Sequence, residues 1–478
     1  MIVILGVIGT ALLATLLLIF NRPMLFIYAL AISVFAQNIT AMLLLRSGIV
    51  PIQHGVYLLY LKELIVVLGF IYLGSGRLLS KTLPFNWIDA LIILYFLLVC
   101  ALFTFESFIP FEVRIAGMRS LVILPSLYLL GRWLYYPRLD ISDLSHFFIR
   151  VAIVFALFGI LEAFILPESF WLAIGHEEYY LMKEGRVPQG SLYLNMYFWD
   201  FGEPPVRRTA SVTGDPLLSS YTLLYGTLLL GFWMFSIGPG KLRVGHLVAL
   251  LTLVTMIATF SRGAVLTLLG GILSLMIALQ STWMYATILI TGIATILAVV
   301  GLFGDLILQQ ITGRGHIEGT LTGLATGLEH PFGIGIGLSG NLAISRARAL
   351  GIDRAFSEGG DSYFGSVASQ IGIIGVLLAY SIFIGIAVCL YRQRKYLRRS
   401  GAPYVWIYTA TIVMLSGLIF TSLLNESGFS FVGSGLIFLT SGILVSHATA
   451  YRRKHLNSVA AQSFGVAVRE GARMRPQG

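Results

Sequence analysis

Uninterrupted apolar runs recur along nearly the whole chain, each close to the roughly 20 residues that a helix needs to cross a bilayer. A membrane β-barrel would show short alternating segments instead. The pattern predicts thirteen spans, at 2–20, 24–45, 56–76, 86–105, 115–134, 147–166, 217–237, 244–260, 263–281, 283–303, 362–391, 403–423 and 428–447. The number becomes twelve if the first run lies along the interface. That run, Ile2 to Phe20, has no basic segment before it and no small-residue cleavage site, so it reads as a retained span. Two polar stretches, 166–216 and 304–361, break the rhythm, and the spans with these loops read as one transmembrane domain over 1–450. Residues 451–478 form a basic, polar tail expected to be disordered in the cytoplasm.

Basic residues in short loops set the orientation. Arg392, Arg394, Lys395, Arg398 and Arg399 are the densest such cluster. Counting spans from it places Arg22, Arg77 with Lys81, Arg132 with Arg138, Lys241 with Arg243, and Arg452 to Lys454 on the same, cytoplasmic side. Both long loops then face outward. The first carries Trp171, His176, Glu177, Glu178, Tyr179, Tyr180, Lys183, Arg186, Trp199 and Asp200. Aromatics at this density suit a lid on the lipid interface or a surface on which sugars stack. The chain is 57% hydrophobic and 11% charged, with a net charge of +10, which fits topology and anion sites. There is no basic soluble domain to hold nucleic acid. Cys100 and Cys389 lie inside apolar runs and read as small packing residues.

The informative arginines break the orientation rule. Arg114 and Arg119 lie at the outer end of the fifth span, and Arg207 and Arg208 precede Gly214-Asp215-Pro216. Arg262 occupies the short turn Phe260-Ser-Arg-Gly-Ala264, and Arg314 follows the tenth span. Lys62 and Glu63 are embedded in the third. Charge at membrane depth is costly and marks function by default. Lys62 with Glu63 also suits internal compensation, and Arg114 with Arg119 an interface anchor. Arg262 has small neighbours and no acidic partner in its turn, which leaves it for a ligand. Guanidinium groups grip phosphate through paired N–H donors and stay charged at any working pH. If these arginines meet in space, they predict a lipid-linked phosphate or pyrophosphate.

The second loop gathers Arg314, His316, Glu318, Glu329, His330, Arg346, Arg348, Asp353, Arg354, Glu358 and Asp361. Leu321, Leu324 and Leu328 recur at helical spacing and predict a short amphipathic helix ended by His330-Pro331. The string Gly335-Ile-Gly-Leu-Ser-Gly340 matches the dinucleotide fingerprint literally, without the flanking strand and helix that reading needs. Its glycines suit sharp turns or close backbone approach. Asp361, before an apolar run, suits a helix N-cap or a base that takes a hydroxyl proton, with Glu358 and His330 behind it in the second role. Asp215 before Pro216 suits an N-cap or turn.

These motifs together resemble the O-antigen ligase and polymerase superfamily of bacterial envelope glycosyltransferases. The resemblance runs from about Arg114 to Gly375. It rests on Arg208-Thr-Ala-Ser-Val-Thr-Gly-Asp-Pro216, Ser261-Arg-Gly-Ala264, Arg314, Glu329-His-Pro-Phe-Gly-Ile-Gly-Ile-Gly337, Asp361-Ser-Tyr-Phe364 and Gln370-Ile-Gly-Ile-Ile-Gly375, in that order between spans. It implies an all-α polytopic membrane protein of about 12–13 transmembrane helices, GT-C-like, in the bacterial inner membrane, with two large periplasmic loops over the site. It implies a donor glycan on undecaprenyl pyrophosphate, held by Arg208, Arg262, Arg314 and Arg119 without metal or cofactor. An acceptor hydroxyl would attack with inversion, and Asp361, Glu358 or His330 would take its proton. Membrane lipids are implied partners, with room for a chain-length-regulating membrane protein, and no nucleic acid. Ligases of the family carry a His-Asn pair where this chain has Asp361-Ser362, which favours a polymerase of exopolysaccharide, capsule or O-antigen repeat units. A ligase, and a flippase of lipid-linked oligosaccharide, are the alternatives; a flippase tends to show repeated halves and charge near the midplane.

Overall fold

The computed structural model describes residues 2–20, 22–80, 85–105, 109–134, 139–167, 169–185, 196–198, 206–237, 243–279, 313–352, 362–402 and 404–453. The first helices are α1 (Ile2–Ile19), α2 (Pro23–Phe35), α3 (Gln37–Arg46), α4 (Ile52–Ser75), α5 (Trp87–Phe105), α6 (Phe111–Leu134), α7 (Ile141–Phe164) and α8 (His176–Glu184). They are followed by α9 (Pro216–Ile237), α10 (Arg243–Ala258), α11 (Arg262–Leu279), α12 (Gly313–Glu329), α13 (Asn341–Ala349), α14 (Tyr363–Arg399), α15 (Val405–Thr421) and α16 (Phe431–Arg453). Among the described residues the strands are β1 (Tyr197–Phe198) and β2 (Val206–Arg207), paired antiparallel with Tyr197 opposite Arg207.

Among the described residues, seven helices (α4, α5, α6, α7, α9, α14 and α16) are long and apolar enough to cross a membrane, and α2 with α3 makes an eighth if that bent pair is one span. α1, α10, α11 and α15 are shorter apolar helices. Twelve of the thirteen expected spans therefore coincide with helices; 283–303 lies outside the described residues. The protein is all-α and multi-pass. In hydrocarbon a backbone must satisfy its own hydrogen bonds, and a helix does so within one segment. α16 sits at the centre, with 89% of its apolar window enclosed by neighbours. Its close crossing with α6 needs small residues: a Cβ on Gly442 would strike the Tyr128 carbonyl, and one on Gly131 the Leu439 carbonyl.

Two irregularities shape the cavity described below. α2 and α3 meet at 53° around Ala36, so the expected span 24–45 is bent. The bend carries the buried polar pair Gln37 and Asn38. α14 breaks at Gly372 (φ 69°, ψ −176°), where the glycine-rich loop presses into it. The Ile334 N–H donates to the Ser369 carbonyl at 2.8 Å, and the Gly337 N–H donates to Gln370 Oε1 at 2.9 Å. Gly333 and Gly337 have φ of 86° and 97°, and a Cβ on either would strike backbone of Gln370 or Val113. The run packs backbone on backbone, which glycine alone permits at so short a range.

α12 forms where a helix was expected, with the opposite face inward. Leu321 and Leu328 are 59% and 61% exposed, while Gly323 and Gly327 press on Gly365 and Ala368 of α14. Small residues let the helices approach, as they do between helices in lipid.

The first long loop folds over a core of its own. Trp171 (1% exposed), Tyr179 and Tyr180 pack with Met42, Leu45 and Ala210. The interface-lid expectation thus gives way, for Trp171, to a buried indole whose N–H donates to Glu162 at 2.8 Å. α8 then lies against α13; a Cβ on Gly185 would touch Ala349 Cα and the Arg348 carbonyl. The two long loops therefore meet. Arg46 of α3 pairs with Glu178 of α8 at 2.6 Å, and Glu112 of α6 pairs with Arg346 of α13.

Candidate functional site

Where the loops meet there is a cavity of about 640 Å³, a size that holds a small ligand. α3 contributes Gln37 and Asn38; α4, Lys62 and Glu63; α6, Arg119 and Ser120. α8 contributes Tyr179, Tyr180, Lys183 and Glu184, and Asp215 stands at the start of α9. α13 adds Asn341, Ser345 and Arg348, and the turn before α16 adds Glu426, Ser427 and Ser430. Among the described residues, cations and carboxylates in the lining are equal in number: Lys62, Arg119, Lys183 and Arg348 with Glu63, Glu184, Asp215 and Glu426.

Much of this charge is already committed. Glu63 Oε1 lies 2.7 Å from Arg119 Nε and 3.4 Å from Lys62 Nζ. Lys62, 4% exposed, also donates to Gln37 Oε1 at 2.6 Å and to the Leu59 carbonyl at 3.0 Å. The compensation expected for Lys62 and Glu63 is present, and Arg119 joins it while stacking 5.3 Å from the Tyr60 ring centroid. Asp215 Oδ1 accepts from the Leu217 N–H at 2.9 Å and the Leu218 N–H at 3.4 Å, which is the N-cap expected before Pro216. Glu426 Oε2 accepts the Asn341 N–H at 2.8 Å and so ties α13 to the turn before α16.

α8 presents Lys183 5.7 Å from the Tyr180 ring centroid. Burial opposes the Lys183 ammonium, but the Tyr179 and Tyr180 hydroxyls with the Asp215 and Glu184 carboxylates outweigh it and hold the pKa above the ordinary lysine value. His176, one helical face away from solvent, is fully buried with its ring 4.8 Å from that of Tyr180. Neither of its ring nitrogens has a hydrogen-bond partner among the described residues. Burial, then the charge of Lys183, pushes its pKa down to about 4, so the ring is neutral.

Glu162 of α7 holds the Arg208-to-Pro216 segment in place. Its Oε2 accepts the Ser211 N–H at 2.7 Å, and its Oε1 takes the Trp171 indole. Ser211 Oγ donates to the Phe155 carbonyl at 2.7 Å. Asn38 Nδ2 donates to the Thr213 carbonyl at 2.8 Å, and Asn38 Oδ1 accepts from the Tyr179 hydroxyl at 3.1 Å. A chain of hydrogen bonds thus links the centre of the bundle to the cavity wall.

Of the residues singled out from sequence, Arg119 lines the cavity. Arg208 and Arg262 come together at another place. Arg208 Nε donates to the Thr259 carbonyl at 2.8 Å and its Nη2 reaches the Phe260 carbonyl at 3.5 Å, in the turn that leads into Arg262. Arg208 is buried, which lowers its pKa, whereas Arg262 is exposed. The turn abuts the cavity's wall, since a Cβ on Gly263 would lie 2.6 Å from Asn425 Nδ2, next to Glu426, but neither arginine lines the cavity. Arg314 begins α12 and its side chain lies outside the described set; Glu358 and Asp361 lie outside the described residues. His330 is exposed at the end of α12, away from the cavity lining. The cap of α14 is Ser362, whose Oγ accepts the Gly365 N–H at 2.8 Å.

Gln37, Asn38 and Glu426 enter the wall without having been singled out. Their signal was present: a polar pair inside an apolar run, and a carboxylate between two of them, are both expensive placements in a membrane. No protein-family model matches the chain, and a search of curated proteins finds no match.

Proposed function

We propose that this protein polymerises undecaprenyl-pyrophosphate-linked oligosaccharide repeat units at the periplasmic face of the bacterial inner membrane. The observation that carries this reading is the cavity in which both long loops converge on the apolar helices. Its amides, hydroxyls, carboxylates and tyrosines suit a ligand made of hydroxyl groups, which donate and accept alike. Beside it, Arg208 donates to the turn that carries Arg262, and Gly263 of that turn lies against Asn425, the neighbour of Glu426 in the wall, a placement suited to the pyrophosphate.

In this reading the acceptor hydroxyl attacks the anomeric carbon and the bond to the pyrophosphate oxygen breaks. Negative charge grows on that oxygen, and fixed guanidinium groups stabilise it. Arg314 at the head of α12 and Arg119 in the wall are proposed as further cations for the carrier. The proton passes to a carboxylate, with Asp361 as the proposed base and Glu358 and His330 behind it. Ser362 caps α14, so Asp361 is not required for that task.

The test supplies purified protein in nanodiscs with lipid-linked repeat units and runs Arg262→Ala and Asp361→Asn beside the wild type. A ladder of lengthened lipid-linked glycans is expected, weakened about a hundredfold or more in Arg262→Ala, as for loss of one electrostatic donor. Transfer of a single glycan to an acceptor without a ladder would make the protein a ligase. Movement of the intact lipid-linked unit across a sealed bilayer, without transfer, would make it a transporter.

A further inference from the structure

We propose that the cavity selects an acidic repeat unit, holding the carboxylate of a uronic-acid-type sugar between Lys183 of α8 and Arg348 of α13. The proposal rests on the cavity being the glycan site.

The charges that the described residues bring to the wall balance, but they are not all paired with one another. Glu63 is committed to Lys62 and Arg119. Asp215 caps α9 and Glu426 holds Asn341. Two cationic groups outside the carrier's set keep open donors. The Arg348 side chain has no hydrogen bond, ion pair or ring contact among the described residues. Lys183 lies on the Tyr180 ring and feels the Asp215 and Glu184 carboxylates without forming an ion pair among the described residues.

Placement strengthens the point. Lys183 and Arg348 come from different loops, whose helices touch at Gly185 and Ala349, so two cations outside any ion pair among the described residues stand where the loops close on each other. The Tyr179 hydroxyl, held by Asn38, lies within electrostatic reach of both Lys183 and Arg119 and offers a polar anchor beside them. A hydroxyl of a neutral sugar accepts single N–H bonds from a guanidinium fork. A carboxylate accepts two parallel N–H bonds from one, about twice as strong as neutral hydrogen bonds. Arg208 and the turn that carries Arg262 lie outside the cavity lining, so the carrier's pyrophosphate leaves Lys183 and Arg348 without an assigned ligand.

The experiment measures equilibrium binding of a matched pair, methyl β-glucuronide and methyl β-glucoside, to the purified full-length protein, with inorganic pyrophosphate as competitor. The glucuronide is expected to bind saturably and at least about tenfold more tightly than the glucoside, and Arg348→Gln to remove most of that preference. Arg348 is exposed, so the variant should fold; a melting curve checks it. Equal binding of the two sugars, or a preference untouched in both Arg348→Gln and Lys183→Gln, overturns the proposal. Pyrophosphate that displaces the glucuronide at low concentration and is itself lost in Arg348→Gln also overturns it, by giving these cations to the carrier. The polymerisation assay separates the two readings. A ladder from neutral repeat units as readily as from acidic ones would sink the acidic subsite and leave the polymerase. Glucuronide preference without a ladder from any repeat unit would do the reverse.

Discussion

Glu63 is the carboxylate at which the charges of α4 and α6 meet. It compensates Lys62 and Arg119 at once, and removing it leaves a buried ammonium with only neutral partners. Breaking a buried pair from one side costs about 3 kcal/mol or more. We therefore expect Glu63→Leu to lower the melting temperature in detergent sharply, and Lys62→Met in the same chain to recover much of the loss. An unchanged melting curve would mean that cavity water solvates Lys62. His176 gives a pH signature. Its folded pKa, about 4, lies below the ordinary value of 6.5, so the fold favours the neutral ring. Stability is complete above about pH 6.5 and declines as the pH falls toward about 4, because the unfolded ring takes a proton that the folded ring refuses. The drop across that window is about 3 kcal/mol, and His176→Phe should flatten it in unfolding scans. At this scale the sequence was partly legible. Asp215 before Pro216 announced a cap, and Lys62 beside Glu63 announced compensation. That Arg119 shares Glu63, and that Glu162 holds both Trp171 and Ser211, depends on contacts between distant segments, which no local pattern encodes.

Among the elements, the spans were legible because a bilayer-length apolar run has one stable conformation in lipid. The bend at Ala36 was not: Gln37 and Asn38 read as polar residues inside a span, and nothing local fixes an angle of 53°. The face of α12 was misleading, since leucines at helical spacing mark an inward face in water but not beside a membrane, where Gly323 and Gly327 make the contact. The glycine-rich loop declared close approach without naming its neighbour, which is the broken segment of α14. Gly333→Ala should cost about 2 kcal/mol or more, from a positive φ and a clash with Gln370 backbone. The measurement is thermal unfolding; a loss under 0.5 kcal/mol, the size of an ordinary surface change, would mean that the loop can lift away from α14.

Across the whole molecule, α6 joins two charged centres. Arg119 sits at the cavity, and Arg132, thirteen residues on and so about 20 Å away along the helix, pairs with Asp89 through both carboxylate oxygens at 2.9 and 2.7 Å. The Ser446 hydroxyl donates to the Arg132 carbonyl and fastens this end to α16. The expected orientation places the cavity outside and the Arg398 cluster inside. In a chain freed of Cys100 and Cys389, a membrane-impermeant maleimide added to spheroplasts should label Arg348→Cys and spare Arg398→Cys, both exposed positions. Labelling of 398 and not 348 would invert the topology and remove the periplasmic site.

Beside their packed and hydrogen-bonded contacts, the loop helices α8 and α13 each carry one surface ion pair to the bundle, Arg46 with Glu178 and Arg346 with Glu112. Dissolved ions screen such pairs, over about 10 Å at 0.1 M and about 3 Å at 1 M. The Asp89–Arg132 pair at the other end is buried and feels little of this. Rising ionic strength therefore weakens one tie on each loop helix and leaves the buried pair unchanged, so we expect the composition of the surrounding medium to tune how readily the cavity admits and releases its occupant.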